Sequence, residues 1–425
     1  MKAEIIAVGS EMLTPFRVDT NSLFLTGELN RLGIEVVRKV IVGDDAEHLQ
    51  EAFRQALARA ELVITIGGLG PTADDLTRET AAEVLGRALK LDEKILQEIQ
   101  ERFRKFGRAM PEINVRQALV PEGAAALENR RGTAPGLWME SQGQIVILLP
   151  GPPSELKPMY AEQVEPRLAA RPTGIRLVTR ELRVAGLPES DVEQRIAPIY
   201  SSYPSVQTTI LAAPGEIQVH PRAWTADVAK AERMLDEVVE RMALALGDSL
   251  FTTEGESLEQ VVANQLTSVS ATLAVAESCT GGLVAERLTS LPGSSTYFLG
   301  GVVCYANTLK SAWLDVPAEL IAAKGAVSAE VARALAEGVR RQSGAALGLS
   351  VTGIAGPGGG SPEKPVGTVH IAMADAAGAR ERSYRFPGDR ERIRFQASQM
   401  ALDMVRRHLM QSHRANTATA RREKA

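Results

Sequence analysis

The chain has 425 residues, enough for two or three domains, and its 44% hydrophobic and 24% charged residues are ordinary for a globular protein. Its 48 Lys and Arg stand against 52 Asp and Glu, a formal charge of −4 that argues against a protein that coats nucleic acid. The two cysteines, Cys279 and Cys304, are too few for a disulfide framework, and no Cys/His spacing suits zinc. The opening Met-Lys-Ala-Glu-Ile-Ile-Ala-Val8 reads as a first strand, not a signal peptide, because Glu4 and Glu11 bracket too short an apolar run. No run reaches transmembrane length, so a cytoplasmic protein is expected.

Residues 1–169 alternate strand and helix. After the strand at 5–8 comes a loop from Gly9 to Asp19, then a helix with Leu23, Leu25, Leu29 and Leu32 along one side, stopped by Gly33. Residues 35–42 make a second strand. Leu49, Ala52, Phe53, Ala56 and Leu57 mark the next helix, and 62–66 a central strand. Above it lies Gly67-Gly-Leu-Gly-Pro-Thr-Ala-Asp-Asp75, and a strand at 144–149 runs into Pro150-Gly-Pro-Pro153. The alternation predicts a doubly wound parallel sheet covered on both faces, with ligands at the C-terminal edge of its strands. Glu11, Asp44-Asp45 and Asp74-Asp75 converge on that edge. Clustered carboxylates bind a hard divalent cation, typically together with substrate phosphates. Gly67, Gly68 and Gly70 leave backbone N–H groups free to hold those phosphates. A plainer reading has Asp75 capping a helix over 77–85 and Asp44 and Asp45 as solvated turn residues.

Gly-Ser-Glu-Met-Leu13, Gly-Gly-Leu-Gly-Pro-Thr-Ala-Asp-Asp75 and Leu-Pro-Gly-Pro-Pro153 resemble the N-terminal domain of the competence/damage-inducible CinA family. That domain is itself similar to the molybdopterin-binding domains of molybdenum-cofactor biosynthesis. The resemblance implies an ADP-ribose pyrophosphatase that needs a divalent metal of the Mg, Mn or Co class. It implies Asp75, Glu11 and Asp44 as metal ligands and Gly67, Gly68, Gly70 and Gly151 as substrate-binding residues.

Residues 170–253 read as a small α+β connecting unit. They comprise a strand over 176–184, a capping box Ser190-Asp-Val-Glu193, an alternating strand over 216–220 and a long amphipathic helix over 225–246. No catalytic constellation occurs there. His220 reads as a solvated edge-strand residue, the unit as a spacer that orients two larger domains, and 251–257 as a polar linker.

Residues 254–412 form the last, α/β domain. A helix over 258–266 precedes an apolar run over 271–275 and then Ala276-Glu-Ser-Cys-Thr-Gly-Gly282. Leu283, Val284, Arg287, Leu288 and Leu291 follow at helical spacing. A strand that ends in a small-residue turn before a helix puts Ser278 or Cys279 at the mouth of a sheet. The glycines let the backbone approach a ligand, and the helix start favours an anion or a developing oxyanion. The plainer reading is a tight turn with a buried Cys279 and Thr280 as N-cap. After a buried strand over 297–305, Asn307 can cap a helix that carries Lys310 in its first turn, where a cation opposes the helix dipole. Burial there lowers a lysine's pKa toward a usable base, which a serine nucleophile needs, so Ser278 and Lys310 pair in this reading. Otherwise Lys310 is a surface lysine. Ser328 caps a long helix. A strand over 347–352 then empties into a loop with five glycines between 353 and 360, where Thr352 can offer a hydroxyl and the glycines free backbone donors. His370, the other possible base, lies inside a strand over 366–374, and another strand spans 381–386. Arg390 suits a substrate phosphate and opens a final helix that ends near Met410, before a disordered tail over 413–425.

Ala-Glu-Ser-Cys-Thr-Gly-Gly282, Thr-Gly-Ile-Ala-Gly-Pro357, Lys-Pro-Val-Gly-Thr368 and Gly-Asp-Arg390 resemble the CinA C-terminal domain, which also occurs alone as nicotinamide-nucleotide amidase. The resemblance implies cofactor-free hydrolysis of nicotinamide mononucleotide to nicotinate mononucleotide and ammonia. It implies Ser278, not Cys279, as nucleophile, Lys310 as its base, and Ser295, Tyr305, Thr352, Gly353 and Arg390 as pocket residues. Together the two resemblances imply a bifunctional enzyme of pyridine-nucleotide salvage. It would be a homodimer that acts on small nucleotides, with no nucleic-acid or membrane partner. The alternative is an interaction protein of the competence or DNA-damage response, whose N-terminal domain binds a nucleotide or pterin without catalysis.

Overall fold

The computed structural model describes residues 1–422, with side chains through Ser412. It divides into two units, Met1–Val178 with Trp224–Val228, and Thr179–Ala223 with the chain from Ala229 onward.

In the first unit β1 (Lys2–Val8), α1 (Thr20–Arg31), β2 (Glu35–Val42), α2 (Ala46–Leu57), β3 (Leu62–Ile66) and α3 (Thr77–Val84) alternate as expected. A ribbon of β4 (Leu89–Leu91) and β5 (Leu119–Pro121) flanks α4 (Glu93–Lys105), and neither is singled out by sequence patterning. There follow β6 (Ala125–Leu127), β7 (Gly136–Ser141), β8 (Gln144–Leu149), α5 (Pro153–Met159) and α6 (Glu165–Ala169). The sheet order is β2-β1-β3-β8-β7-β6. The first four strands are parallel, but β7 and β6 are antiparallel, so the sheet is mixed and not wholly the parallel one expected. The reason is local: Gln142 and Gly143, at φ 50° and 83°, form a two-residue hairpin loop, and left-handed residues at both positions turn the chain straight back on itself. One face of the sheet packs Ile5, Ile64 and Ile147 with Leu25 and Leu29 of α1. The other packs Ile6, Val63 and Val146 with Leu49 and Phe53 of α2. All five residues of β3 are buried, as covering both faces requires.

After β9 (Arg176–Thr179), the second unit begins with β10 (Leu182–Ala185), α7 (Glu189–Tyr200), β11 (Gln207–Ala213), β12 (Glu216–Thr225), α8 (Val228–Leu246) and β13 (Leu250–Thr252). These strands run β11-β12-β10-β13, antiparallel. Three expectations change here. The polar linker over 251–257 begins inside a strand, with Phe251 buried. His220 stands on an inner strand, where its Nε2 is buried and has no partner among the described residues. The Ser190–Glu193 capping box does not form: α7 starts after Pro188 without a side-chain cap, and Glu193 instead accepts the Tyr200 hydroxyl at 2.5 Å.

The rest of the unit contains α9 (Leu258–Ser268), β14 (Leu273–Glu277), α10 (Leu283–Thr289), β15 (Phe298–Val303), α11 (Asn307–Leu314), α12 (Ala318–Lys324), α13 (Ala329–Ser343), β16 (Leu347–Gly353), β17 (Thr368–Asp375), β18 (Gly378–Arg385) and α14 (Arg390–Arg422). The order is β15-β14-β16-β17-β18, with the first three parallel and the last two antiparallel. Leu273, Val275 and Leu349 pack against α9 and α14, and Ala274 and Ala276 against α11 and α13. Ser328 caps α13 as expected, but α11 follows Ala306 with no side-chain cap, so Asn307 is its first residue and not its N-cap. The last helix continues past Met410, and the tail expected over 413–425 lies outside the described side chains.

The middle segment is more than a spacer toward this domain. Ala185 and Phe251 belong to the same apolar cluster as Leu258 and Met400. On α14, Asp403 and Arg406 are each 1% exposed. Arg406 bonds Asp403 Oδ1 at 2.6 and 2.8 Å and reaches the Asp248 carbonyl at 2.5 Å, while Arg407 bonds Asp403 Oδ2 at 2.6 Å. Removing one partner of a buried pair strands the other charge, at a cost of about 3–5 kcal/mol. Asp403→Ala is therefore expected to lower the unfolding midpoint of the second unit steeply in a urea titration. A midpoint within error of wild type would show that Asp403 does not compensate Arg406.

Candidate active sites

In the second unit the site forms at the C-terminal ends of β14 and β16, where parallel strands open onto their loops. Glu277, the last residue of β14, is 1% exposed. Its carboxylate receives the amides of Gly282 at 3.0 Å, Val284 at 3.1 Å and Ala285 at 2.9 Å. These are orphan donors of the α10 N-terminus, so an internal carboxylate occupies the place expected for Thr280 as cap or for an external anion. Gly281 and Gly282 have φ of 62° and 96°, a left-handed pair that a side chain would strain. The Ser278 amide bonds the Val351 carbonyl at 2.9 Å, and Arg394 grips the Thr280 carbonyl through Nη2 at 2.7 Å and Nε at 3.1 Å. The turn is thus held from both ends. Sequence reasoning missed both holders. Their signals were a carboxylate ending an otherwise apolar strand and an arginine one helical turn beyond Arg390.

Ser278 is half-buried, whereas Cys279 is 4% exposed and burial pushes its thiol up to about 12. A thiol so raised stays protonated at neutral pH and is a poor nucleophile. Lys310 is 1% exposed, so it is not a surface lysine. Its Nζ donates to the Cys304 carbonyl at 2.9 Å and the Tyr305 carbonyl at 3.0 Å. No carboxylate pairs with it among the described residues, and burial holds its pKa below the usual lysine range. No hydrogen bond joins Lys310 to Ser278 among the described residues. Arg390 bonds the Tyr305 hydroxyl at 3.1 Å and the Gly356 carbonyl at 2.8 Å, and so ties two expected pocket residues to the glycine loop. Thr352 is fully buried and donates its hydroxyl to the Ala326 carbonyl at 2.8 Å, so the hydroxyl's hydrogen is already engaged. At Gly353 a Cβ would fall 2.8 Å from the Thr368 carbonyl, which explains the glycine. Ser295 is exposed in a short turn, Ser294–Thr296, and no hydrogen bond links it to the others among the described residues. His370 is tied to Glu381 at 2.7 Å, inside the sheet.

In the first unit, a cavity of about 360 Å³ lies at the C-terminal ends of β1, β3 and β8. Its lining includes Glu11, Asp44, Gly67, Gly68, Gly70, Asp75 and Gly151, the whole set expected there. Asp74 and Glu155 line it as well. Asp75 does not cap α3: its Oδ2 accepts the Thr72 amide at 3.0 Å and hydroxyl at 2.5 Å. Asp44 and Ser10 exchange two bonds, at 2.7 and 3.0 Å, and lock the first two loops together. A Cβ on Gly70 would stand 2.3 Å from Asp75 Oδ2, so only glycine lets the carboxylate lie against the loop. Beneath it Arg78, fully buried, donates Nη2 to the Leu69 carbonyl at 3.0 Å and braces the loop. Among the described residues no three carboxylate, His or Cys side chains converge into a ready-made metal cage, although the acidic loops line the one cavity. The donor set fits a hard divalent cation that takes one or two carboxylates and completes its shell with water and substrate phosphate.

Residues 4–170 match the family described as "Probable molybdopterin binding domain", residues 179–252 the CinA KH domain of damage-inducible proteins, and residues 255–409 the CinA C-terminal domain. A CinA-like protein of Koribacter versatilis is 50% identical over 414 residues, covering 96% of this chain and 100% of its own. One from Acidobacterium capsulatum is 51% identical over 414 residues, with the same coverage, and one from Solibacter usitatus is 50% identical over 409 residues, covering 96% and 98%.

The Glu277 cap yields a direct expectation. Glu277→Gln puts an NH2 group where the carboxylate received backbone amides, and a charge-assisted bond of this kind contributes about 1.5–3 kcal/mol. Its stability in urea should fall by about that amount at pH 7. A variant as stable as wild type would mean that the carboxylate does not hold the turn.

Proposed function

This chain belongs to the CinA family, and from that premise we propose that it is a two-site hydrolase of pyridine-nucleotide salvage, acting on small nucleotides as a cytoplasmic homodimer. The observation that carries the second-unit reading is Lys310, a buried amine with lowered basicity and no carboxylate partner among the described residues, on the helix that follows β15, the strand paired with the one that leads to Ser278. In this reading the neutral amine takes the Ser278 proton as Oγ attacks the carboxamide carbon of nicotinamide mononucleotide. The Thr280 amide, which Glu277 does not take, is a donor for the developing oxyanion in this reading. The C–N bond breaks, the proton leaves with ammonia, and a nicotinoyl ester remains on Ser278. Water, deprotonated by Lys310, then releases nicotinate mononucleotide. Arg390, beside Tyr305, suits the substrate phosphate.

At the first-unit site we propose cleavage of ADP-ribose to AMP and ribose 5-phosphate, water adding at one phosphorus as the P–O–P link breaks. A bound divalent ion would neutralise pyrophosphate charge there. Asp75, with Glu11 and Asp44, would hold it, and the Gly67–Gly70 backbone would orient the phosphates. A second reading has one observation in its favour. Residues 4–170 match a probable molybdopterin binding domain, and in this reading the domain binds a nucleotide or pterin without cleaving it, within a competence or DNA-damage interaction protein.

Deamidation should rise with pH to a plateau, because only the neutral amine accepts a proton, and the midpoint should lie below the ordinary lysine range. Lys310→Arg keeps the charge but cannot deprotonate, and Ser278→Ala removes the nucleophile. Each should cost at least a hundredfold in ammonia release, while Cys279→Ala stays near wild type. Retained activity in either of the first two variants removes that residue from its role. For the first-unit site, Asp75→Asn and excess chelator should each abolish AMP release from ADP-ribose. If wild-type protein with added magnesium, manganese or cobalt binds ADP-ribose yet releases no AMP, the second reading stands.

A further inference from the structure

Helix α10 has seven residues, too few to hold its shape without tertiary contacts. Glu277 fixes its first turn, and Arg287, buried one turn on, fixes the rest. The Arg287 guanidinium lies 4.9 Å from the centre of the Phe395 ring. Its Nη1 donates to Ser398 Oγ at 2.9 Å, and its Nη2 donates to Glu259 at 2.8 Å and to Gln399 Oε1 at 2.6 Å. One planar fork therefore ties α10 to both α9 and α14.

Gln399 is 1% exposed. Its oxygen is taken by Arg287, so its NH2 group faces the other way, where it donates to Glu216 Oε2 at 3.2 Å. Glu216 belongs to the middle segment, 183 positions earlier. It opens β12 directly after the two-residue loop Pro214-Gly215, in which Gly215 has a φ of 72°. A Cβ on Gly215 would stand 3.2 Å from Cβ and Cγ of Gln399, so this loop lies directly on α14. The other Glu216 oxygen accepts from Gln218 at 2.9 Å and from Arg183 at 3.4 Å, which holds the carboxylate in place. A carboxylate that accepts from one end of an amide polarises it, and strengthens the bond that the amide oxygen accepts at the other end.

We propose that the middle segment positions the reactive turn. Glu216 acts through Gln399 on Arg287, and Arg287 holds α10 where the turn between it and β14 keeps Ser278 in place. These three are positioning residues for deamidation. Their effect on catalysis rests on the amidase reading, whereas the coupling of the middle segment to α10 stands apart from it. Arg390 is anchored separately, by Tyr305 and Gly356, so the hold on substrate lies outside this relay.

The test measures two quantities on the full chain: kcat and KM for ammonia release from nicotinamide mononucleotide, and hydrogen exchange of the α10 backbone amides. Gln399→Met keeps the length of the side chain and removes both bonds. Glu216→Ala breaks the relay from the other end and leaves Arg183 paired with Glu181 at 2.7 Å, so it strands no arginine. Each should lower kcat about tenfold, a coupling usual within one hydrogen-bonded network, with KM unchanged. Each should also speed exchange across α10 while α13 exchanges as in wild type. The double variant should be no worse than either single one, because both break the same relay. Glu216→Gln, which still accepts from Gln399, should retain most of the wild-type kcat. A Glu216→Ala protein with wild-type kcat overturns the positioning role, as do losses that add in the double variant or fall on KM instead. If the wild type releases no ammonia, exchange decides. Faster exchange across α10 in both single variants then upholds the coupling while the amidase reading falls, and unchanged exchange overturns both.

Discussion

The Glu277 carboxylate lies within the first turn of α10, where it accepts the amides of Gly282, Val284 and Ala285. This contact sets the geometry of the second-unit site. A helix so close behind a strand presents free N–H groups, and water or a side chain must satisfy them. Supplying the acceptor from the strand itself pins the helix start to the strand end. The residues between, Ser278 to Gly281, then have little freedom, and the left-handed glycines absorb the turn. Arg394 completes the restraint from α14 by holding the Thr280 carbonyl, so the final helix and the reactive turn are coupled.

The two sites solve different electrostatic problems on similar scaffolds. Each sits where parallel strands end, and each sheet continues into antiparallel strands away from its site. The second-unit site hides a cation. Lys310 is buried with its amine bonded to two backbone carbonyls, and desolvation favours its neutral form. The first-unit site displays anions. Its carboxylates line an open cavity and are held by loop amides and hydroxyls, not by arginines, so their charge remains available to a cation. Buried arginines serve structure instead. Arg78 braces the glycine loop from below, and Arg406 with Asp403 joins α14 to the Asp248 carbonyl next to β13.

Much of this was legible in the chain alone because it depends on short-range pattern. Apolar runs of strand length, helical spacing and glycine stops located β1 to β3, β14 and α13, and the acidic loops and glycines expected at one edge do line one cavity. Strand direction was less accessible. Whether β7 runs back along β8 depends on two backbone dihedrals at Gln142 and Gly143, not on hydrophobic period. Caps were also misassigned where several polar residues stood near a helix start. Thr280, Asn307 and Ser190 all had the right chemistry, yet the carboxylate at the end of the preceding strand or plain backbone took the place.

What the sequence by itself determined is the set of candidate groups: Ser278 and Lys310 at strand-to-helix junctions, three acidic loops and two glycine-rich turns. What only the tertiary structure decided is their environment. Burial makes Lys310 a weak base and Cys279 an inert thiol, and burial depends on helices more than twenty residues away in the chain. The Arg394 grip on Thr280 spans 114 positions. A pKa or a turn clamp follows from what surrounds a group in space, and local pattern carries no information about neighbours brought together by folding.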